Sequence, residues 1–208
     1  MTLKVHHLDN SRSQRILWLL EELGAEYEIV FHARDAITNF APPSLLAVHP
    51  LGKSPVIDDD GQIVYESGAI VEYLIERHGG GQFAPPRGTN DHIRYLEWMH
   101  FAEGSAMLPI LLNLYASRLG EAGAPLHPRI HQQLESHYRY MEDQLQPSGW
   151  FVGDSLTGAD VMLSFPAEAA VKSGRAADKP KLTAFVERIH ARPAWIAALA
   201  KGGPYAFA

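Results

Sequence analysis

The chain has 208 residues and a formal net charge of −6. Its hydrophobic content of 46% is sufficient for a buried core, and its charged content of 20% is too low for a largely disordered chain. Nucleic acid is a poor candidate partner, because phosphate binding needs a basic face and the sequence contains no cluster of Lys and Arg.

Cysteine is absent from the sequence. Its absence excludes disulfides, cysteine metal sites and a cysteine nucleophile, so any thiol chemistry has to come from a bound substrate. We expect no signal peptide, because Met1–Asp9 lacks a basic flank followed by a long apolar core. The apolar run Ala106–Leu112 is too short to span a bilayer and is interrupted by Pro109, so we expect no membrane partner.

Hydrophobic patterns in the first eighty residues predict an α/β domain. Leu3–Leu8 predicts a strand, a helical repeat then ends at Gly24, and Tyr27–Phe31 predicts a second strand. The turn signal at residues 59–62 (DDGQ) lies between two short apolar segments and predicts a hairpin, and apolar residues over 70–75 predict a helix. The resulting order, βαβ followed by ββα, is that of a thioredoxin-like domain.

The glycine and proline residues that follow the predicted α/β domain indicate an interdomain linker. The linker covers residues 81–89 and separates a domain at 1–80 from a domain at 90–208. Beyond the linker the sequence shows no convincing pair of strands. Helical patterns cover residues 90–118, 128–145, 158–173 and 180–200. We therefore expect a thioredoxin-like α/β domain followed by an all-helical domain.

Residues 157–160 (TGAD) form a helix-start signal. Thr157 as the cap residue and Asp160 three positions later form a capping box, and Leu156 with Val161 forms the accompanying hydrophobic staple. Capping boxes are common, so this one alone predicts only where a helix begins. We expect Asp160→Ala to lower the free energy of unfolding by about 1 kcal/mol, or somewhat more if the carboxylate is buried.

Two N-terminal segments carry a family resemblance. Residues 49–57 (HPLGKSPVI) combine a proline turn with a strand, and Glu66-Ser67 follows a second strand at the start of a helix. This order resembles the glutathione-binding half of glutathione S-transferases, and the Thr157 capping box resembles the one in their helical domain. Residues 6–11 (HHLDNS) and the proline-turn segment are most similar to the serine-type transferases of bacteria and fungi. Ser54 departs from the family pattern, in which the residue before the turn proline is apolar.

Ser11 is the candidate catalytic residue. It lies between a predicted strand and a predicted helix, where unpaired N–H groups and the helix dipole favour an anion. Its hydroxyl can donate a hydrogen bond to sulfur, and the resemblance to serine-type transferases implies that it activates the glutathione thiol. A plain helix-cap role is the alternative for Ser11, and Asn10 and Ser13 are the other candidate donors.

The resemblance also implies four glutathione-binding residues. Ser54 precedes a proline whose peptide bond is expected to be cis, which leaves the Ser54 backbone for the cysteinyl backbone of glutathione; an ordinary trans turn is the alternative. Lys53 contacts the glycyl carboxylate or is a solvated loop lysine. Glu66 accepts from the γ-glutamyl ammonium and Ser67 holds the γ-glutamyl carboxylate, unless the two residues are a plain helix cap.

As a whole, the resemblance implies a cytoplasmic, homodimeric glutathione S-transferase that transfers glutathione to small electrophiles. Glutathione is the co-substrate, no metal or bound organic cofactor is implied, and no carboxylate motif joins His127 and His131 into a metal site. The helical domain would carry the electrophile site and dimer contacts, and its polar insert at residues 103–105 (EGS) bends a helix or contacts the partner subunit. The alternatives are a glutathione-binding carrier with little catalysis, or a glutathione-dependent peroxidase or isomerase.

Overall fold

A mixed four-stranded sheet is the scaffold of the N-terminal region in the computed structural model, which describes residues 2–208. Its strands are β1 (Leu3–Leu8), β2 (Glu28–His32), β3 (Val56–Asp59) and β4 (Gln62–Tyr65). The strand order is β2-β1-β3-β4, in which β1 is parallel to β2 and antiparallel to β3, and β3 is antiparallel to β4. The predicted strand–helix–strand unit and the predicted hairpin are both confirmed.

Two helices complete this N-terminal part of the fold. Helix α1 (Gln14–Leu23) connects β1 to β2, and helix α2 (Ser67–His78) follows β4. Helix α1 ends at Gly24, whose φ of 62° lies in the left-handed region that glycine adopts without steric cost. Seven consecutive residues of α1, from Gln14 to Leu20, are buried. This helix is therefore enclosed on most of its sides, and not along a single apolar stripe.

The rest of the chain is helical. The remaining helices are α3 (Asn90–Phe101), α4 (Met107–Arg118), α5 (His127–Gln144), α6 (Gly158–Lys172), α7 (Pro180–His190) and α8 (Pro193–Gly202). Because no strand interrupts them in the described residues, the predicted fold class is confirmed. A π-helical turn at Ala102–Ala106 joins α3 to α4 and contains the predicted polar insert. Within residues 2–208, no helix has the length and apolar character needed to cross a membrane.

The single helix predicted over residues 180–200 is wrong. Helix α7 ends at His190 and α8 begins at Pro193, so the pattern divides into two helices. The reason is Pro193, whose ring disfavours the helical conformation of the preceding residue. Arg192 accordingly has extended backbone angles, φ −73° and ψ 135°.

Two units divide the chain. One contains the residues up to Phe83 together with His190–Ala208, and the other contains Ala84–Ile189. The last nineteen residues thus group with the sheet, whereas the sequence assigned them to the helical domain. The reason is that α8 packs on α1, where the Trp18 and Trp195 rings meet edge to face at 5.5 Å. Both side chains are buried, so this contact is part of the core of the first unit.

The predicted capping box at the start of α6 is confirmed. Asp160 Oδ2 accepts hydrogen bonds from the backbone N–H and from the hydroxyl of Thr157, each at 2.8 Å. Asp160 Oδ1 accepts from the backbone N–H of Phe151 at 2.9 Å. The carboxylate is completely buried, so it joins the helix start to the preceding segment as well as capping α6.

We expect Asp160 to make the free energy of unfolding depend on pH. Burial raises the pKa of Asp160 from 3.8 to about 6, and hydrogen bonds from Phe151 and Thr157 oppose that rise. The pKa of Asp160 is therefore higher in the folded chain than in the unfolded chain. At pH values between these two pKa values, the folded chain binds more protons than the unfolded chain. Stability therefore falls as the pH rises from about 4 to about 6, by roughly 3 kcal/mol in total.

Urea denaturation of the native chain and of Asp160→Asn, carried out from pH 4 to pH 7, measures this effect. Asparagine does not titrate, so the difference between the two free energies of unfolding isolates the Asp160 carboxyl from other acids. A difference that stays constant with pH would mean that the three hydrogen bonds cancel the effect of burial.

Candidate active site

The predicted site residues lie in loops at one end of the sheet. Strands β1 and β4 finish at this end and β3 begins there, because the register pairs His6 with Val56 and Val56 with Tyr65. The loops that follow β1 and β4 and the turn that precedes β3 therefore leave from the same edge. These loops carry Ser11, Lys53, Ser54, Glu66 and Ser67.

The turn before β3 has the geometry predicted for it. The Ser54–Pro55 peptide bond is cis, which confirms the prediction and excludes the trans alternative. The Ser54 hydroxyl donates to the carbonyl of His6 at 2.8 Å and fastens the turn to β1. Gly52 has a φ of 56°, in the left-handed region that glycine adopts without steric cost. Lys53 lies between Gly52 and Ser54, and its side chain is exposed.

The start of α2 contains an unusual backbone conformation. Glu66 has φ 67° and ψ 121°, a backbone region that residues other than glycine rarely adopt. Such a conformation costs about 1–3 kcal/mol and is concentrated at functional sites. Glu66 is exposed, whereas Ser67, the first residue of α2, is only 6% exposed. The structure therefore presents one carboxylate and one buried hydroxyl at the N-terminus of a helix.

Ser11 lies in the loop between β1 and α1 and is 8% exposed. The residue directly before α1 is Ser13, whose side chain makes no cap hydrogen bond, so a capping role for Ser11 stays a prediction. Ser11 Oγ accepts a hydrogen bond from the backbone N–H of Ser13 at 3.2 Å. The Ser11 side chain is thereby held three residues before α1 begins at Gln14.

Ser13 links Ser11 to the buried side chain of His7. Ser13 Oγ is 2.7 Å from Ser11 Oγ and 2.9 Å from His7 Nδ1. His7 Nε2 in turn is 3.0 Å from the carbonyl oxygen of Gly202, in the last residue of α8. The sequence analysis did not identify His7 as a site residue. In the sequence, His7 could have been found from the alternation of Leu3, Val5 and His7 on one face of β1, which places a histidine among buried apolar residues.

The loop that carries Ser11 is held from two sides. Arg34 donates to the backbone carbonyls of Asp9 and Asn10, at 2.9 and 3.2 Å. From the other side, the backbone N–H of Ala206 donates to Asn10 Oδ1 at 2.7 Å. This hydrogen bond holds the Asn10 side chain through its oxygen, and the amide NH2 group is the part of Asn10 that could donate to a thiolate, so Asn10 stays a candidate donor beside Ser11.

His6 and His32 form a pair of histidines beside the Ser54 turn. His6 Nδ1 is 3.1 Å from His32 Nε2, and His32 Nδ1 is 2.8 Å from the hydroxyl of Ser44. Burial lowers the pKa of both histidines, and the His32 charge lowers the pKa of His6 further. These contacts fasten β2 and the following loop to β1.

Several large side chains of the helical unit are buried. Tyr95, Trp98, Met99 and Met107 are buried there, whereas Tyr115 is exposed. Nowhere in residues 2–208 do three His, Asp or Glu side chains converge as metal ligands. His127 and His131 stack on each other, with ring centroids 5.6 Å apart.

A thioredoxin-like domain with a cis-proline turn and a Glu-Ser helix start, together with a helical unit, defines a class of glutathione-binding proteins. Comparison with known proteins agrees. The family model described as "Glutathione S-transferase, N-terminal domain" matches residues 1–76, and the model described as "Glutathione S-transferase, C-terminal domain" matches residues 113–201.

Individual relatives extend the match over nearly the whole chain. Glutathione S-transferase 1 of Saccharomyces cerevisiae is 32% identical over 96% of this chain and 94% of its own length. Glutathione S-transferase 3 of Schizosaccharomyces pombe is 36% identical over 80% of this chain and 73% of its own. The crystal structure of a glutathione S-transferase from Actinobacillus pleuropneumoniae is 33% identical, with a TM-score of 0.83 over 96% of this chain and 92% of that one. The chain therefore belongs to the glutathione S-transferase family and is a glutathione transferase.

Proposed function

We propose that this enzyme is a serine-type transferase that binds glutathione at the β1–β3–β4 end of the sheet and stabilises its thiolate through Ser11. The observation that carries this proposal is the buried Ser11 hydroxyl at the β1–α1 junction. It leaves from the same end of the sheet as the cis Ser54–Pro55 turn and the Glu66-Ser67 helix start. A tripeptide with its thiol at its centre fits such an arrangement of one hydroxyl flanked by two polar loops.

Ser54 and Lys53 bind the middle and the glycyl end of the peptide. Among residues 2–208, no hydrogen bond engages the backbone N–H or C=O of Ser54, while its side chain is bonded to His6. These backbone groups pair with the cysteinyl backbone of glutathione, as in the addition of a short strand to a sheet. The exposed ammonium group of Lys53 contacts the glycyl carboxylate.

Glu66 and Ser67 bind the γ-glutamyl end. The first N–H groups of α2 and the Ser67 hydroxyl hold the γ-glutamyl carboxylate, because a helix N-terminus favours an anion. The Glu66 carboxylate accepts a charge-assisted hydrogen bond from the γ-glutamyl ammonium. The positive φ of Glu66 is what turns its side chain away from the helix path, and this supports a role outside the fold itself.

Stabilising the thiolate of bound glutathione requires a free energy of a few kilocalories per mole. A free thiol with a pKa near 8.5 is roughly 3% ionised at pH 7, and lowering that pKa by ~2 units requires about 2.7 kcal/mol. A charge-assisted hydrogen bond from Ser11 supplies about 1.5–3 kcal/mol, and the N-terminus of α1 adds roughly 0.3–1 kcal/mol. The two contributions together are of the required size.

The first experiment is to measure the rate at which the native protein adds glutathione to an aryl halide across pH, together with the ultraviolet absorption of the bound thiolate. We expect a rate above background and an apparent thiol pKa well below 8.5. Glutathione binding without thiolate formation and without a rate above background would contradict the proposal and favour the carrier alternative. Peroxide and isomerisation substrates, tested in parallel, distinguish the remaining alternatives.

Assembly, cofactors and localisation are also proposals. We propose a homodimer that needs no metal and no bound organic cofactor. Exposed apolar residues support an interface, and Leu51 at 62% exposed and Tyr65 at 47% exposed lie near the proposed glutathione site. Sedimentation equilibrium tests the dimer, and activity after exhaustive chelation tests the metal independence. The cytoplasmic location stays a prediction, which cell fractionation tests.

We expect Glu66→Gly to separate binding from stability. Glycine adopts a φ of 67° without side-chain strain, so the free energy of unfolding is expected to stay constant or to rise by up to about 1 kcal/mol. Glutathione affinity is expected to fall at least about tenfold, because the charge-assisted hydrogen bond is lost. Calorimetric titration and urea denaturation measure the two quantities.

The matched control is Glu66→Gln, which keeps a side chain at the strained position and removes only the charge. We expect it to lose affinity without a gain in stability. Native affinity in Glu66→Gly would show that the Glu66 side chain lies outside the glutathione site.

A further inference from the structure

The protonation state of His7 is determined by its neighbours. His7 is 2% exposed, and its Nε2 lies 3.0 Å from the carbonyl oxygen of Gly202. A carbonyl only accepts hydrogen bonds, so Nε2 carries a proton. Burial lowers the pKa of His7 from 6.5, against the Gly202 hydrogen bond and the Asp9 charge, so the imidazole is neutral at pH 7. In a neutral imidazole with its proton on Nε2, the other nitrogen, Nδ1, is an acceptor.

This tautomer sets the direction of the hydrogen bonds between His7 and Ser11. His7 Nδ1 accepts from the Ser13 hydroxyl at 2.9 Å, a shorter distance than the 3.2 Å to the competing carbonyl of Leu8. Once its proton is directed to His7, Ser13 Oγ accepts from the Leu8 N–H at 3.3 Å and from the Ser11 hydroxyl at 2.7 Å. Both hydroxyl protons thus point toward His7, and Ser11 Oγ, which accepts one hydrogen bond from the Ser13 N–H, keeps a second lone pair that can accept a proton.

We propose that His7 is the terminal acceptor of the glutathione thiol proton, which reaches it through Ser11 and Ser13. The sulfhydryl proton moves to Ser11 Oγ, the Ser11 proton moves to Ser13 Oγ, and the Ser13 proton moves to His7 Nδ1. One proton leaves the sulfur and one arrives at the imidazole, and both serines stay neutral. This inference rests on the proposed function, because it requires glutathione with its thiol at Ser11.

The transfer reverses every hydrogen bond in the chain and so prepares the thiolate for reaction. Afterwards the Ser11 hydroxyl donates to the thiolate, the Ser13 hydroxyl donates to Ser11, and His7 Nδ1 donates to Ser13. The imidazolium then has an acceptor for each of its two N–H groups, since Nε2 still donates to Gly202. When the carbon–sulfur bond has formed, the proton returns along the same chain to Ser11 and then to solvent.

The surroundings of His7 explain why the charge appears only with the substrate. Asp9 on the following loop favours the imidazolium, whereas His32 on β2 opposes it and the Phe31 ring packs edge-on at 5.6 Å. Burial disfavours the charge most strongly, so His7 remains neutral until a thiolate forms at the other end of the chain. The two opposite charges then stabilise each other in a poorly solvated environment.

The decisive experiment follows the His7 ring in the native protein labelled with 15N-histidine, with its resonances assigned through His7→Asn. We expect His7 to change from neutral to doubly protonated when glutathione binds, in step with thiolate absorption. S-methylglutathione has no thiol proton and is expected to leave His7 neutral. Thiolate formation with a neutral His7 would overturn the relay and leave the proposed function intact. The absence of any thiolate would overturn both.

Kinetics of variants give an independent test. His7→Asn keeps a polar group near the Nδ1 position but cannot take up a proton. Because it also loses the Nε2 contact with Gly202, affinity for S-methylglutathione is measured to show that the binding site is intact. The relay predicts an apparent thiol pKa raised by at least about one unit and, at pH 6.5, a rate lowered about fivefold or more, with unchanged affinity for S-methylglutathione. The exposed His78 provides the control, His78→Asn, which is expected to leave the rate unchanged. A native rate and pH profile in His7→Asn would overturn the relay.

Discussion

Ser11→Ala is expected to lower kcat/KM for an aryl halide about 75-fold at pH 6 and about 25-fold at pH 7. The hydroxyl proposed to donate to the thiolate is lost, and a shift of the thiol pKa by ~2 units, from about 6.5 back to 8.5, reduces the reactive fraction by these factors. The deficit is expected to shrink above pH 9, where the thiol ionises without help. The measurement is the pH profile of kcat/KM for the native and variant enzymes, from pH 5.5 to pH 9.5.

Two controls make this result specific. Ser136→Ala removes an exposed hydroxyl on α5 and is expected to leave the profile unchanged. Affinity for S-methylglutathione is expected to stay close to native in Ser11→Ala, because Ser54, Glu66 and Ser67 are the residues proposed to hold the peptide. Full activity in Ser11→Ala would refute the assignment and make Asn10, through its amide NH2 group, or Ser13 the next candidate.

Asp160→Ala is expected to lower the free energy of unfolding at pH 7 by about 3–5 kcal/mol. The sequence supported a value of only about 1 kcal/mol, the usual effect of losing a cap. The structure raises it because the completely buried carboxylate accepts three hydrogen bonds. Its removal leaves the Phe151 and Thr157 N–H groups buried without an acceptor, at about 1–3 kcal/mol each. Urea denaturation followed by circular dichroism measures the loss.

The control for this variant is Asp154→Ala, which removes an exposed acid six residues earlier in the same segment. We expect it to change the free energy of unfolding by less than about 0.5 kcal/mol. A loss below about 1 kcal/mol in Asp160→Ala would mean that the carboxylate does no more than cap α6.

Local sequence patterns determined most of the elements. Alternation over Leu3–Leu8, the hairpin signal at 59–62 and the capping box at 157–160 each depend on residues a few positions apart, and each is present in the structure. The cis Ser54–Pro55 bond was also predicted, but from resemblance to a family and not from periodicity. Where a local signal was overlooked, as with Pro193, the prediction of one continuous helix was wrong.

Only the tertiary structure showed how Ser11 is connected to the rest of the first unit. The tautomer of His7 is fixed by a hydrogen bond to the carbonyl of Gly202, 195 residues later in the chain. The backbone N–H of Ala206 holds the loop that carries Ser11 by donating to Asn10. Both contacts exist because α8 returns to pack on α1, which no pattern in the last helix indicates. A short-range pattern specifies which face of a helix is apolar, but the partner of that face is chosen by packing across the whole unit. The side chains of Ser11, Ser13 and His7 are close in sequence, but the Gly202 contact that fixes the tautomer of His7 is a product of tertiary packing.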